Sequence, residues 1–384
     1  MRIFIGGDFA PTEYNEQLFK DGDGDSLYSK EMLDYLKEFD FRIFDFETVF
    51  EGQGAKINKA GPYMTTSVDT LPGIKSLDPN LMILANNHTG NLGVDGVEHT
   101  CKVFNDNGID TIGAGRTLAD ARKAYIYEND GIKVGFLAFA EHEFTYADDS
   151  RGGVNPFDYF NSYDDIAELK QSCDYVICFY HGGLIEYRYP TPLQQRRLRR
   201  MVDCGADLVV SQHTHCIGCE EHYKGKTILY GQGDFLFARP TRNEYRYSGL
   251  LLDVNVTKDG ISVQYKVRVK PKDTIRFADV NEEREIIDAF AQREQDLING
   301  LIVSKFEEFT QKNYKRYMSC VIGKDQSGLI YRAINKLMRH QYVYKLFKKK
   351  YNKRAGLSLW NYIECESHNE VLRRMMKLEY EKME

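Results

Sequence analysis

Five short apolar runs within residues 2–240 stop at side chains able to bind a metal. Ile3 to Gly7 stops at Asp8, and Phe41 to Phe46 carries Asp45 and Glu47 at i and i+2 on one face. Leu81 to Ala85 leads into Asn86-Asn87-His88, Tyr175 to Tyr180 into His181-Gly-Gly, and Leu208 to Val210 into Ser-Gln followed by His213, Thr214 and His215. Read as strands whose successors are reached through a helix or a long crossover, these runs predict sheets whose carboxyl ends line one edge. That edge collects two carboxylates (Asp8, Glu47), one carboxamide (Asn87) and four imidazoles (His88, His181, His213, His215). Side chains two apart on a strand share a face, so His213 and His215 are expected to present both rings to one point. Each residue alone has an ordinary reading. Asp8 after Gly-Gly is a turn former, Asn87-His88 a helix cap and His181 a buried ring; the convergence is what points to a metal site.

Composition places the chain among globular proteins long enough for one large or two medium domains: 384 residues, 42% hydrophobic and 28% charged. The net charge of −6 conceals a split. Between Gln311 and Trp360 stand 13 Lys or Arg against one acid, Asp325, so that stretch carries +12 and the remainder −18. No apolar run reaches the roughly 18 residues of a membrane helix, and the N-terminal MRIFIGGDFA reads as a first buried strand, so a cytoplasmic protein is expected. Of eight cysteines, Cys173, Cys178 and Cys204 fall in apolar segments and are expected to be reduced; the Cys216–Cys219 spacing lacks the second pair of a zinc site.

Helical spacing fills the gaps between the apolar runs, as at Gly93 to Asn107 and Pro192 to Asp203. Residues 141–157, rich in Asp, Gly and aromatics, are expected to form a loop facing the site. Beyond Gly218 the pattern changes to paired strands, and Tyr247 to Thr257 and Ile261 to Lys270 flank a Lys-Asp-Gly hairpin turn. From about Asn281 the sequence reads as helical throughout. The expectation is a main α/β domain over 1–275 and a helical, basic C-terminal extension over 280–384.

The order of the blocks GDF, FDFETVF, LMILANNHTGNLGVDGVEHT, VICFYHGGLIEYRYPTPLQQ, GADLVVSQHTHCIG and ILYGQGDFLF resembles the CapA family of capsule and poly-gamma-glutamate synthesis proteins. The resemblance covers about residues 2–240. That family is similar to the calcineurin-like metallophosphoesterases, which implies a two-sheet αββα sandwich around a two-metal centre. The same resemblance implies that Asp8 is a terminal ligand, Glu47 the bridging carboxylate, Asn87, His181 and His213 ligands of one metal, and His215 a ligand of the other. His88 would sit beside the leaving group as general acid or charge stabiliser. Mixed carboxylate, amide and imidazole ligation suits one or two ions of Mn, Fe or Zn. Three departures bear on activity: Ala10 stands where the phosphoesterase pattern has a ligand histidine, Glu47 where Asp is usual, and Asp234 where many CapA-like chains have Asn. His142 or Glu186 is a candidate for the missing ligand.

Arg188, Arg239 and Arg242, with Glu186, lie next to site blocks and are candidates to receive an anionic small-molecule or polymer substrate. The basic stretch 311–360, in which lysines alternate with tyrosines, suits contact with a synthase or an anionic membrane surface, giving a protein peripheral at the inner membrane face. No motif for specific nucleic-acid binding accompanies it. Two functional readings follow: a metal-dependent hydrolase of phosphoesterase type in capsule or cell-surface polymer biosynthesis, or a non-catalytic assembly factor with the same fold.

Overall fold

The computed structural model describes residues 1–238, 244–321, 333–334, 336–338 and 341–380. Residues Met1–Ile302 form one compact unit and Val303–Glu384 another. The first unit is an αββα sandwich. One sheet runs in the order Arg276–Phe277, Gly260–Val269, Ser248–Thr257, Arg2–Ala10, Phe41–Phe46, Leu81–Ile83, Asp110–Ile112, and Asp234–Phe237 pairs with the far end of Arg2–Ala10. The other runs Glu220–Tyr223, Lys226–Tyr230, Leu208–Gln212, Tyr175–His181, Ile132–Ala140, Tyr125–Asn129. Both are mixed. Their central strands are parallel, fed by crossovers, whereas the hairpin-linked strands at their margins are antiparallel.

The alternation along each strand explains the layers. Ile3, Ile5, Ile43, Val134, Phe136, Val210, Leu252 and Val254 point inward and form the core between the sheets. Phe4, Phe9, Phe44 and Phe46 point the other way and take the helices Glu16–Asp21, Lys30–Leu36 and Gly93–Asp106 through Phe19, Met32, Leu36 and Phe104. Each such buried ring contributes roughly 1.5–3 kcal/mol of burial. Helices Asn161–Ser172 and Pro192–Asp203 cover the second sheet through Ile166, Leu169, Leu198 and Met201.

The hairpin is as expected: Ser248–Thr257 and Gly260–Val269 close with Thr257 opposite Gly260 across Lys258 and Asp259. The first unit extends past the break expected at 275–280. Helix Val280–Ile298 lies on the sandwich, with Phe290 in the inter-sheet core, Leu297 in the outer layer and Arg293 Nε donating to the Gly218 carbonyl at 2.6 Å. Among the described residues, no strand follows Phe277. The second unit contributes helices Gln341–Lys350, Lys353–Glu364 and Glu366–Tyr380. All eight cysteines are free thiols.

Candidate metal centre

The carboxyl ends of the two sheets meet over three carboxylates set abreast. In the first sheet Asp8 pairs in register with Asp45 on one side and Asp234 on the other. Asp8 lies inside a strand running from Arg2 to Ala10, rather than at its end, and between Ile5 and Asp8 that strand carries one residue more than the Phe41–Phe46 strand it pairs with. This is a bulge, which re-aims a side chain without ending the pairing. Gly7 makes the approach possible, since a Cβ there would strike the Gly233 carbonyl oxygen.

From the second sheet come His181, the last residue of its strand, and the segment after Gln212. The two histidines are not delivered by strand alternation as expected. The strand ends at Gln212, and His213 and His215 sit at φ 89° and 52°, in the left-handed region that L residues avoid. Such backbone persists when the surroundings over-determine it, and it clusters at functional sites. Here the His213 backbone N–H donates to Asp8 Oδ2 at 3.1 Å, joining the sheets.

Glu47 occupies the middle. Its Oε1 lies 3.7 Å from His181 Nε2, 3.7 Å from His215 Nε2 and 3.8 Å from His88 Nε2. Both its oxygens are buried without a hydrogen-bond donor. A buried carboxylate without hydrogen bonds is costly, and such a charge is ordinarily held by neighbouring cations, here the protonatable rings, or by a metal. His213 Nδ1 and His181 Nε2 stand 3.1 Å apart, with Asn87 Oδ1 at 3.2 Å from the same nitrogen. Glu47, His181 and His213 each offer a ligand atom within 4.8 Å of the others, and so do Asp8, Glu47 and His215, so Glu47 is common to these two groups; a third buried group, Asp8, Asp45 and His181, uses the carboxylate that already holds His181 Nδ1. The donor set of carboxylate and imidazole fits a divalent ion of Mn, Fe or Zn type.

Two carboxylates hold the rings. Asp45 Oδ2 lies 2.8 Å from His181 Nδ1, and Asp234 Oδ1 2.7 Å from His215 Nδ1, leaving each Nε2 turned toward Glu47. This carboxylate–histidine arrangement fixes tautomer and orientation at metal sites. Asn86 supports Asp45: its Nδ2 donates to Asp45 Oδ1 at 2.9 Å, while its Oδ1 accepts from the His88 and Thr89 backbone N–H groups and from the Thr89 hydroxyl.

The charges follow from this packing. Burial, with help from Glu47, raises Asp8 to about 7. Burial alone would raise Glu47, but His215, His181 and His88 outweigh it and hold its carboxyl below the usual range. Burial opposes protonation of His181 and His215 but is overcome by their carboxylates, which raise His181 well above normal and His215 to about 10. His213 and His88 go the other way: burial and neighbouring His181 lower His213, and burial, against Glu47, takes His88 to about 4. In the absence of metal, protons on His181 and His215 thus supply the positive charge that the carboxylates require.

The structure brings together Asp8, Glu47, Asn87, His88, His181, His213 and His215. Other candidates sit differently. Arg188 donates to the Ile217 carbonyl at 2.9 Å and stacks over Tyr245, so its described contacts are not with the cluster. Glu186 lies 3.8 Å from Arg246. His142 is exposed with its ring against Tyr146, although its loop does pack on the site segment through Glu143 and Thr145. Arg239 and Arg242 lie outside the described residues. Sequence reasoning missed the supporting shell of Asp45, Asn86, Asn91 and Asp234. Asp45 was visible only as a neighbour of Glu47, and Asp234 only as a departure from a family pattern.

Comparison with known proteins adds a family. Residues 2–239 match the family "Bacterial capsule synthesis protein PGA_cap". The chain is 28% identical over 235 residues to "PGA biosynthesis protein CapA" of Bacillus subtilis (strain 168), covering 60% of this chain and 62% of that protein. It is also 28% identical over 244 residues to "Capsule biosynthesis protein CapA" of Bacillus anthracis, covering 61% and 56%. The match therefore spans less than two thirds of either relative. Among solved structures, a hypothetical protein from Thermus thermophilus is similar with TM-score 0.45 and 14% identity, over 71% of this chain and all of that one.

Proposed function

The chain belongs to the bacterial capsule synthesis protein family, and we propose that it is a metal-dependent hydrolase of phosphoesterase type acting on a phosphoester or polymer linkage in cell-surface polymer biosynthesis. One observation carries this reading: both oxygens of Glu47 are buried without a donor while three imidazole Nε2 atoms surround it. Glu47, Asn87, His181 and His213 would hold one ion, and Asp8, Glu47 and His215 a second. A bound divalent ion supplies Lewis acidity and a coordinated water acidic enough to react near neutral pH.

The chain's own residues prepare that site. Asp45 and Asp234 keep a lone pair available at Nε2 of His181 and His215 once those rings give up their second proton. His88 is the ring placed to move a proton. Asn91 Oδ1 accepts from the Met64 backbone N–H at 2.9 Å, which identifies that atom as the oxygen. His88 Nδ1, 3.1 Å from the same atom, therefore carries the proton, and its Nε2 turns a lone pair toward Glu47. At neutral pH the ring takes up a proton at Nε2 before it can return one to a leaving group.

One observation favours a second reading, a non-catalytic assembly factor. Ala10 is fully buried and paired with Phe237, so it adds no ligand to the Asp8–His215 side. In either reading, the exposed lysines at 345, 348, 349, 350 and 353 make the helical C-terminal region a contact for an anionic membrane surface. Elemental analysis of the purified protein, with bis(p-nitrophenyl) phosphate as a generic phosphodiester, separates the readings. Bound Mn, Fe or Zn with turnover that His213→Ala abolishes supports the hydrolase. Stoichiometric metal without turnover on a broad substrate panel supports the assembly factor.

A further inference from the structure

We propose that Lys59 is the anion receptor of this centre, its ammonium meeting a phosphate or carboxylate oxygen of the group that lies across Glu47. The inference rests on the metal-centre reading above and names a residue for it.

The irregular segment 51–64 is fastened at both ends to the turn that carries His88. Ala55 N donates to the Leu92 carbonyl and Ile57 N to the Asn91 carbonyl, each at 3.2 Å. Farther along, Met64 N donates to Asn91 Oδ1 at 2.9 Å, and the Tyr63 hydroxyl closes back on the Ile57 carbonyl at 2.5 Å. The Asn91 side chain is also the partner of His88 Nδ1, so one residue holds both the ring and the segment. Lys59 lies between the anchors at Ile57 and Met64.

The segment hangs from Leu92 and Asn91 beside His88, Lys59 lies two residues past the Ile57 anchor, and Glu143, Glu47 and His88 are among the groups with which its ammonium interacts electrostatically. The side chain is half-buried, and among the described residues it forms no ion pair; its contact is the Tyr63 ring, 5.9 Å from Nζ. Burial lowers its pKa, as for an ammonium short of water. Among the described residues, Arg188 donates to the Ile217 carbonyl, and Arg246 lies between two carboxylates, 3.7 Å from Asp234 and 3.8 Å from Glu186. When a divalent ion neutralises Glu47, Lys59 keeps Glu143 as its counterpart but loses the second carboxylate acting on it. A bound anion restores the balance.

The test uses the full chain loaded with manganese and inorganic phosphate as the probe, followed by calorimetry at low ionic strength, where the charge is least screened. Lys59→Met is expected to weaken phosphate binding about tenfold, the effect of losing one hydrogen bond to a charged group, with bound manganese and melting temperature unchanged. Lys59→Arg is expected to stay near wild type, because a point charge rather than a bidentate fork is required. Phosphate affinity equal to wild type in fully loaded Lys59→Met overturns the inference, as does loaded wild-type protein without phosphate affinity. If wild-type protein takes up no metal, the metal-centre reading fails and this inference falls with it; elemental analysis tells that failure from the others.

Discussion

Replacing Asp45 by Asn changes one oxygen to an amide nitrogen at a position that touches no ligand atom directly, yet it should cost most of the metal affinity. Both Asp45 oxygens accept: Oδ2 from His181 Nδ1 at 2.8 Å and Oδ1 from Asn86 Nδ2 at 2.9 Å. An Asn side chain has one acceptor, so one contact must become donor against donor. Asn86 cannot yield by turning its amide over, because its Oδ1 already serves the His88 and Thr89 backbone N–H groups and the Thr89 hydroxyl. The conflict therefore falls on His181. Its proton moves to Nε2, which then points N–H instead of a lone pair at Glu47 and His213. Loss of such an orienting partner lowers metal affinity about 10- to 100-fold, or roughly 1.4–2.7 kcal/mol. Chelator competition with Zn or Mn on wild type and Asp45→Asn measures it, with circular dichroism to confirm that the variant is folded. A folded variant that holds metal as tightly as wild type would refute the assignment of Asp45 as the residue orienting His181.

Other consequences are independent of that one. Chelator-treated protein should melt lower at pH 8 than at pH 6.5. His215 is raised from 6.5 to about 10, and His181 likewise upward, so their contribution is full below 6.5 and is lost as pH climbs toward the folded value. His88 and His213, both lowered, are neutral in either state above 6.5 and do not contribute there, while Lys270, lowered to about 8, acts above that window. Saturating metal should remove or reverse the trend, because it binds the deprotonated rings; equal melting temperatures at the two pH values without metal would contradict the charge assignment. Gly7→Ala should destabilise the fold by about 1–3 kcal/mol through the clash with the Gly233 carbonyl, read from the urea midpoint. Lys348, Lys349 and Lys350 changed together to Glu should abolish co-sedimentation with phosphatidylglycerol vesicles, each lysine being worth about 1 kcal/mol at such a surface; unchanged sedimentation would remove the membrane from consideration.

The candidate residues were legible because an apolar run that stops at a polar side chain marks a strand end. Asn87, His213 and His215 do follow such ends, His181 is the last residue of its strand, Glu47 comes one residue past an end, and Asp8 instead lies inside its strand, but the structure gathers all six. The two-sheet architecture followed from the family resemblance rather than from the runs themselves. What stayed hidden lies across the strands. Asp45 and Asp234 flank Asp8 by lateral register, which no spacing along the chain encodes. The left-handed turn at His213 and His215 carries no glycine to announce it, and strand alternation offered a simpler reason for the same pairing. Lys59 lies in an irregular segment whose position depends on Asn91, a residue that looks like an ordinary turn former in the sequence. The helix Val280–Ile298 read as the start of the extension because the helical pattern begins there. Its buried residues, Phe290, Arg293 and Leu297, stand three and four apart on one face, and nothing in that spacing says which unit the face packs on.

The most direct test of the metal centre is the metal content of Glu47→Gln beside wild type after reconstitution with Mn or Zn and dialysis. Glu47 is shared by both ligand groups, and Gln keeps its shape while removing its charge. Wild-type protein should retain metal, and the folded variant should lose it from both groups together. Retention of the full wild-type complement by Glu47→Gln, or a wild-type protein that binds neither ion, would contradict the account.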